Sequence, residues 1–203
     1  MKEEYFKNDL YWKKHIGKEI DIDMWIDDYQ EFFLDKGTCL DLGCGIGQYS
    51  KRLMEYGYDV LSTDISDIAL NEVRKFNKKV EKLDMSEPFK YQDNMFDLVF
   101  ASLAIHFFSE EKTKQLVDEI YRVLKKDGLF IGSVNGLEGY DVIKDTAVKL
   151  EENFYFNNNR YIHLFDDKEL KKYLDNFKIL KLLKRETVRF GHKKNYWIFI
   201  VRK

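Results

Sequence analysis

The stretch TCLDLGCGIGQYS, residues 38–50, runs from an apolar segment into three glycines that recur at every second position. The apolar part predicts a buried strand, and the residues after the glycines predict the start of a helix. A residue without Cβ adopts positive φ freely and lets the backbone approach a ligand closely. We therefore expect Gly43, Gly45 and Gly47 to form a ligand-binding loop of the kind that α/β proteins use for nucleotides.

Strand and helix patterns alternate after this glycine loop. Ser66 and Ser109 each precede a helical pattern, as N-cap residues do. The cations and the glycine of residues 125–128 predict the end of the helix that Ser109 begins. Alternation of this kind indicates a parallel sheet with helices on both faces. The other predicted helices cover residues 48–56 and 66–76, and the predicted strands after the glycine loop cover residues 59–64, 80–83, 96–101 and 129–134.

The two ends of the chain depart from that alternation. Apolar residues at helical spacing predict that the segment before residue 36 is helical, including residues 22–33. A helix is predicted at residues 141–150, whereas the aromatic and Asn-rich residues 153–159 are too irregular to assign. Asp166 and Glu169 have the spacing of a capping box that starts a helix to Leu174. Strands at residues 177–188 and 195–201 predict a closing hairpin, with an antiparallel strand at the end of the sheet.

Composition narrows the class of protein. The 203 residues suit a single domain, residues 1–203, with no linker rich in Pro, Ser and Gly. The formal net charge of −2 gives no support for a nucleic-acid partner. No apolar run is long enough to cross a bilayer and no signal-peptide core follows Met1, so we expect a cytoplasmic protein without a membrane partner. The two cysteines, Cys39 and Cys44, imply neither a disulfide framework nor a zinc site, and we expect no bound metal.

The spacing of the glycines separates two classes of ligand. A dinucleotide-binding loop has the order G-x-G-x-x-G, and its third glycine would fall at Gln48. A triphosphate-binding loop ends in Gly-Lys-Ser or Gly-Lys-Thr, and no lysine follows Gly47 directly. Neither class matches this loop.

The segment DLGCGIG, residues 41–47, resembles the first motif of the class I S-adenosylmethionine-dependent methyltransferases. The segments LSTDIS, LDM, FDLVFAS and RVLKKDGLF, which begin at residues 61, 83, 96 and 122, resemble the motifs that follow it in that family. The resemblance implies an α/β fold, a Rossmann-like three-layer sandwich. Its seven-stranded sheet is mostly parallel, with an antiparallel C-terminal hairpin strand.

The resemblance also implies roles for single residues. In the family, an acid at the position of Asp64 holds the ribose hydroxyls, and residues at the positions of Asp84 and Met85 meet the adenine. The position of Asp41 lies near the methionine amino group; from the residues alone, we expect that carboxylate to order the loop through backbone amides. Asp93 and Asp97 are alternatives to Asp84. The predicted cofactor-binding residues are Asp41, Gly43, Cys44, Gly45, Gly47, Asp64, Ile65, Asp84, Met85, Ala101, Tyr11 and Trp12.

Two histidines, two N-terminal aromatic residues and one inserted segment are further candidates around the cofactor and the acceptor. His106 follows the fourth strand, where it is either structural or a general base or substrate-orienting group. Tyr11 and Trp12, in an N-terminal helical cap at residues 1–37, either fold over the cofactor or only pack on the sheet. Residues 136–165 resemble the lid that small-molecule relatives build over their substrate. His163 is predicted to be a turn residue.

The function implied by the resemblance is methyl transfer from S-adenosylmethionine to a small molecule by direct displacement, with S-adenosylhomocysteine as product. Two alternatives stay open: an NAD-dependent oxidoreductase on the same architecture, and a non-catalytic S-adenosylmethionine-binding protein. DNA amino-methyltransferases carry a proline-containing motif after the fourth strand, and Ala101-Ser102-Leu103-Ala104 has no proline. We therefore expect no nucleic-acid substrate, and a chain that is a monomer or a homodimer.

Overall fold

A computed structural model describes residues 2–17, 23–34, 36–189 and 192–203. In these ranges the strands are β1 Gly37–Leu42, β2 Tyr58–Asp64, β3 Val80–Lys82, β4 Phe96–Ser102, β5 Leu124–Asn135, β6 Val148–Glu151, β7 Phe154–Asn157, β8 Arg160–His163, β9 Lys178–Arg189 and β10 His192–Arg202. The α-helices are α1 Lys2–His15, α2 Gln48–Glu55, α3 Asp67–Val73, α4 Glu110–Val123, α5 Tyr140–Ile143 and α6 Asp167–Tyr173. Trp25–Phe32 and Leu137–Gly139 are 3₁₀ helices.

Within the described residues, seven strands form one sheet in the order β3-β2-β1-β4-β5-β10-β9. The first five strands of that order are parallel, and β10 is antiparallel to both β5 and β9. The predicted sheet is therefore confirmed. The antiparallel strand β10 lies inside the sheet, between β5 and β9, and β9 forms the edge. The turn that joins β9 to β10 includes residues 190 and 191, outside the described residues.

The core lies on both faces of this sheet. Consecutive residues of a strand point to opposite faces, so Val99 packs with Ile120 of α4, whereas Phe100 packs with Trp25 and with Leu53 of α2. Helices thus cover the sheet on both sides, which gives the predicted three layers.

The predicted helix starts are confirmed at three caps. The Ser66 and Ser109 hydroxyls accept from the backbone N–H groups of Ala69 and Lys112. The Asp166 carboxylate accepts from the backbone N–H of Glu169 at 2.7 Å.

The predicted glycine end of α4 is wrong. The helix ends at Val123, and Leu124 already pairs with Phe96 in the sheet. Asp127 takes the left-handed conformation, with φ of 62°. A Cβ on Gly128 would lie 2.9 Å from the carbonyl oxygen of Lys125, so this glycine permits close backbone packing within β5.

The segment between β5 and α6 contains a second, three-stranded sheet, β6-β7-β8. The predicted helix at residues 141–150 is wrong beyond its first turn, because residues 148–151 pair with β7 instead. Residues 153–159, which the sequence pattern left unassigned, contribute β7 and the turn to β8. Asn158 and Asn159 both have positive φ, as a two-residue hairpin turn requires.

The N-terminal prediction is confirmed only in outline. The residues from Trp25 to Phe32 form a 3₁₀ helix with a break at Tyr29, where the α-helical spacing predicts a regular helix. Trp25 and Ile26 are buried there, so packing on the sheet sets the local geometry. Ile22 lies outside the described residues.

Candidate active site

A cavity of about 680 Å³ opens at the carboxyl ends of β1, β2 and β4. In the sheet order, the chain passes from β1 outward in both directions, and ligands of open α/β sheets bind where the strand order reverses. Of the predicted site residues, the following line this cavity: Tyr11, Trp12, Asp41, Gly43, Cys44, Gly45, Asp64, Ile65, Asp84, Met85 and His106.

Gly45 lies directly beneath an aromatic ring of the N-terminal helix. Its φ is 55°, and a Cβ placed on it would lie 2.4 Å from Cζ2 of Trp12. The loop therefore needs glycine here for its backbone conformation and for the approach of Trp12. This contact puts α1 over the glycine loop, with Trp12 at the cavity.

Two predicted residues, Gly47 and Ala101, are not part of the cavity lining. Gly47 has φ of 82° as the N-cap of α2, and a Cβ on it would lie 2.7 Å from Cζ of Phe76. Ala101 is fully buried in the core. Its strand neighbours Phe100 and Ser102 line the cavity in its place, because consecutive strand residues face opposite sides.

Asp64 ties the glycine loop to the start of α3. Its Oδ2 accepts from the backbone N–H of Gly45 at 2.9 Å, and its Oδ1 accepts from the backbone N–H of Ser66 at 2.8 Å. Burial raises the pKa of Asp64, and hydrogen bonds from the backbone of Ser66, Gly45 and Ile65 oppose that shift. A carboxylate accepts about four hydrogen bonds, so these backbone donors leave capacity for a ligand.

Asp41 ends a buried chain of polar side chains. The Ser50 hydroxyl donates to Oδ2 of Asp41 at 2.5 Å, and the Ser62 hydroxyl donates to that of Ser50 at 2.8 Å. Burial raises the pKa of Asp41 to about 7, and the neighbouring charge of Asp64 adds to the rise. In the structure this carboxylate accepts a hydrogen bond from a hydroxyl, whereas the sequence analysis predicts hydrogen bonds from backbone amides.

The third acidic position is Asp84. Its Oδ1 accepts from the backbone N–H of Ser86 at 2.9 Å and from the Ser86 hydroxyl at 2.7 Å. Neither Asp93 nor Asp97 is among the described residues that line the cavity. Asp97 instead pairs with Lys125 at 2.8 Å, at the amino end of β4.

His106 lies in the cavity wall and is 6% exposed. Its Nδ1 is buried and has no hydrogen-bond partner among the described residues. Burial and, to a smaller extent, the positive charge of Lys194 lower the pKa of His106 to about 3. The imidazole is therefore neutral at physiological pH.

Residues 40–132 match the family model described as a methyltransferase domain. Among solved structures, an S-adenosylmethionine-dependent methyltransferase from Methanosarcina mazei aligns with a TM-score of 0.76 at 20% identity, over 91% of this chain and 99% of that chain. Residues 40–132 thus match a methyltransferase domain, and the fold is that of S-adenosylmethionine-dependent methyltransferases. S-adenosylmethionine is the cofactor of those enzymes.

Two further proteins similar to this chain have named activities. The 1,6-didemethyltoxoflavin-N1-methyltransferase of Burkholderia thailandensis was solved with 1,6-didemethyltoxoflavin and S-adenosylhomocysteine bound. It aligns with a TM-score of 0.67 at 19% identity, over 99% of this chain and 88% of that chain. The mitochondrial arginine-hydroxylase NDUFAF5 of Mus musculus is 34% identical over 128 residues, which cover 62% of this chain and 35% of that protein. The chain thus spans about a third of the length of the first curated relatives that it matches.

Sequence reasoning missed the structural role of His163 beside this cavity. His163 is fully buried, so its prediction as a turn residue is wrong. Its backbone N–H donates to the carbonyl oxygen of His106 at 2.8 Å. Its ring nitrogens lie 3.0 Å from the carbonyl oxygen of Phe108 and 2.7 Å from Oε1 of Glu169. β8 therefore holds the loop that carries His106.

The sequence reasoning also missed much of the aromatic and cationic lining. Trp25 and Phe100 have the spacing of ordinary core residues, and they are buried core residues that also touch the cavity. No spacing rule links Lys194 of β10 to a loop after β4, because the sheet order alone brings them together. The lining residues of this kind are Trp25, Tyr49, Phe100, Phe107, Phe108, Lys112, Phe154, Arg160, Tyr161, Lys194 and Tyr196.

The N-terminal helix α1 and the small sheet β6-β7-β8 meet at the cavity. The guanidinium of Arg160, on β8, lies 4.7 Å from the ring centroid of Tyr11, on α1. Both residues line the cavity. In the part of the chain that the structure describes, no helix is long and apolar enough to span a bilayer, and no group of three or more His, Cys, Asp or Glu side chains is arranged to hold a metal ion.

Proposed function

We propose that this chain transfers the methyl group of S-adenosylmethionine to a small-molecule acceptor by direct displacement. The observation that carries the proposal is the division of one cavity. Its β1–β3 side has the glycine loop and three acidic residues, and its other side has aromatic residues and His106. The first side suits a nucleoside with a cationic amino acid, and the second suits an organic acceptor.

The hydrogen-bonding groups on the cofactor side support this proposal. We assign the ribose hydroxyls to Asp64, which keeps acceptor capacity beside its two backbone donors. Asp84 and Met85 would meet the adenine, and Asp41 would lie near the methionine amino group. The backbone at Gly43, Cys44 and Gly45, together with Ile65, would complete this side, which the absence of Cβ at the glycines keeps open.

Gly47 and Ala101 support the cofactor site indirectly in this proposal. Gly47 allows α2 to begin against Phe76, and Ala101 packs in the core beneath the cavity wall. Neither needs to touch the cofactor for the site to form.

Methyl transfer from a sulfonium needs little acid or base catalysis from the protein. The sulfonium of the bound cofactor supplies an activated methyl group, so the protein has mainly to align the acceptor and exclude water. Alignment alone supplies roughly 7 to 11 kcal/mol in favourable cases. A pKa of about 3 makes His106 a weak base, and we assign it to orientation of the acceptor through its unpartnered Nδ1.

We further propose that residues 1–37 act as a cap and residues 136–165 as a lid. The support is the contact between Tyr11 and Arg160, which joins the two segments beside the cavity. Closure would keep water from the acceptor. Replacing Arg160 with Gln should then weaken acceptor binding more than binding of S-adenosylhomocysteine, because α1 can still cover Gly45 through Trp12.

The test of the proposed function has two stages. Calorimetry with S-adenosylhomocysteine and with NAD separates the methyltransferase from an oxidoreductase, and we expect binding of the first ligand only. Incubation with S-adenosylmethionine and a metabolite panel, followed by mass spectrometry, then detects a product heavier by one methylene group. Binding without any product would favour the non-catalytic alternative. A product heavier by one oxygen atom would instead favour hydroxylation, the activity in the name of the mouse relative.

A cytosolic location and a monomeric or homodimeric state belong to the proposal as well. The mouse relative is described as mitochondrial. Fractionation of cells and light scattering of the purified protein would test these two points independently of the reaction.

A further inference from the structure

A chain of buried side chains leads from the connection between α3 and β3 to the cofactor side of the cavity. Nδ2 of Asn77 donates to the Ser62 hydroxyl at 3.0 Å, and that hydroxyl donates to the hydroxyl of Ser50 at 2.8 Å. The Ser50 hydroxyl in turn donates to Oδ2 of Asp41 at 2.5 Å. None of these four residues is more than 5% exposed. Because its members come from four separate segments, the chain forms only in the packed domain.

The donors of this chain all point in one direction. Oδ1 of Asn77 accepts from the backbone N–H of Lys79 at 2.9 Å, which turns the nitrogen of the same amide toward Ser62. An amide nitrogen only donates, so the Ser62 hydroxyl accepts from it and gives its own proton to Ser50. Hydrogen bonds in such a chain polarise one another. The last of them therefore favours the ionised form of Asp41, which accepts the Ser50 proton.

Asp41 is the member of the chain that lines the cavity, whereas Ser50, Ser62 and Asn77 lie behind the lining. Among the described residues, a donor meets Oδ2 of Asp41 and none meets Oδ1. A buried carboxylate with an unused oxygen in a cavity wall points to a ligand that donates.

The titratable groups that face Asp41 supply no counter-charge. Burial and the charge of Asp64, at the end of β2, raise the pKa of Asp41 to about 7. The thiols of Cys39 on β1 and Cys44 in the glycine loop are neutral, because burial and the charge of Asp41 raise their pKa values. A cationic group of a ligand would therefore favour the ionised carboxylate.

We propose that this hydrogen-bonded chain holds the carboxylate of Asp41 ionised and oriented for the amino group of S-adenosylmethionine. Its positioning residues are Ser50, Ser62 and Asn77. The inference rests on the proposed function and concerns the amino-acid end of the same cofactor site. Recognition of the ligand ammonium thus depends on residues that touch no ligand, and a ligand without that ammonium gains nothing from them.

The experiment measures the preference for that amino group. S-adenosylhomocysteine and its desamino analogue, in which a hydrogen atom replaces the amino group, are titrated by calorimetry into the full chain. We expect the wild type to bind S-adenosylhomocysteine at least about tenfold more tightly than the analogue. Ser62→Ala should reduce this preference at least about threefold and leave the affinity for the analogue within about twofold. The variant keeps the Asn77 amide paired, because its nitrogen also donates to the carbonyl oxygens of Val60 and Lys79.

The pH profile is the second readout. In the wild type the affinity for S-adenosylhomocysteine should rise with pH as Asp41 ionises. Ser62→Ala should move this rise to higher pH by about half a unit, because the weakened bond from Ser50 raises the pKa of Asp41 further. Thr38→Val is the control, since it removes a hydroxyl that donates to Asp97 at 2.8 Å, at the amino end of β1. It should change neither the preference nor the profile.

Each result decides the inference. An unchanged preference or an unchanged pH profile in Ser62→Ala would overturn it, even if Ser50→Ala, which removes the direct donor to Asp41, lowers the affinity. Equal loss of both ligands in Ser62→Ala would also overturn it, since Ser62 would then support the fold alone. If the wild type binds S-adenosylhomocysteine no more tightly than the analogue, the proposed function stands and the inference alone fails. If S-adenosylhomocysteine does not bind the wild type, both fail.

Discussion

The backbone N–H of Gly45 donates to Oδ2 of Asp64 at 2.9 Å, which links the loop after β1 to the end of β2. The other oxygen of the same carboxylate accepts from Ser66, the N-cap of α3. One acidic side chain thus fixes two backbone segments beside the cavity. The carboxylate that we assign to the ribose is also the group that orders the loop around it.

We predict that Asp64→Ala weakens binding of S-adenosylhomocysteine at least tenfold, about 1.4 kcal/mol or more, because the ribose and Gly45 both lose an acceptor. Calorimetry measures this affinity. Asp59→Ala is the matched control, since Asp59 is exposed at the start of β2 and pairs with Lys79. Unchanged affinity in the folded Asp64 variant would contradict the assignment.

Gly47→Ala should destabilise the fold. Positive φ alone costs about 1 kcal/mol, and a methyl group 2.7 Å from Phe76 adds about 1 to 3 kcal/mol of overpacking. Gly17→Ala is the control, because Gly17 has φ of 77° and nothing within 4 Å of its Cβ position. Urea unfolding should show the larger loss for Gly47→Ala. Equal losses would mean that the contact with Phe76 relaxes without cost.

The raised pKa of Asp41 predicts a pH dependence of stability. The folded state binds the proton with a pKa of about 7, whereas the ordinary pKa of an aspartate is 3.8. Between these values the folded state holds more protons, so the free energy of unfolding falls as pH rises, by ~1.4 kcal/mol per pH unit from this group. Below the lower value both states are protonated, and above the upper value the loss is complete.

Asp41→Asn should therefore flatten the decline in stability between about pH 5 and about pH 7. Urea unfolding of the ligand-free protein at several pH values measures it. Asp97→Asn is a contrasting variant, because Lys125 and Thr38 hold the pKa of Asp97 below its usual range despite its partial burial. Removal of the Asp97 carboxylate should lower the free energy of unfolding at pH values above the usual pKa of an aspartate. A decline in Asp41→Asn as steep as in the wild type would contradict the shift.

The sequence predicts the central sheet well, because its signals are local. The apolar run of β4, the glycines after β1 and the caps at Ser66 and Ser109 each depend on neighbouring residues. The small sheet depends on pairing between β6, β7 and β8, which no local pattern reports. The turn at Asn158 and Asn159 was the available signal, since asparagine tolerates positive φ.

The same difference between local and long-range signals applies to the candidate site. Asp41, Asp64 and Asp84 lie at or just after the carboxyl ends of β1, β2 and β3, so motif and strand order place them at one edge of the sheet. The acceptor side draws on residues far apart in sequence, such as His106 and Lys194, which meet only through the position of β10 beside β5. Contacts of that kind follow from packing of the whole domain, and no single segment encodes them.

His163 and Glu169 form the contact that holds the His106 loop against β8. Both ring nitrogens of His163 are in hydrogen bonds, one with the carbonyl oxygen of Phe108 and the other with the carboxyl group of Glu169. The histidine is fully buried and Glu169 is largely so, at 17% side-chain exposure. Glu169 also accepts from Asn153 at 3.2 Å.

Glu169→Gln should therefore destabilise the protein by about 1 to 2 kcal/mol, because an amide replaces the carboxyl group that is hydrogen-bonded to the fully buried ring of His163. Glu110→Gln is the control, since Glu110 pairs with Lys172 at the surface, where such pairs contribute little. Urea unfolding compares the two variants. The Glu169 variant should keep its affinity for S-adenosylhomocysteine, because Glu169 is not among the described residues that line the cavity. Equal stability of the two variants would show that the pair between His163 and Glu169 does not hold the loop.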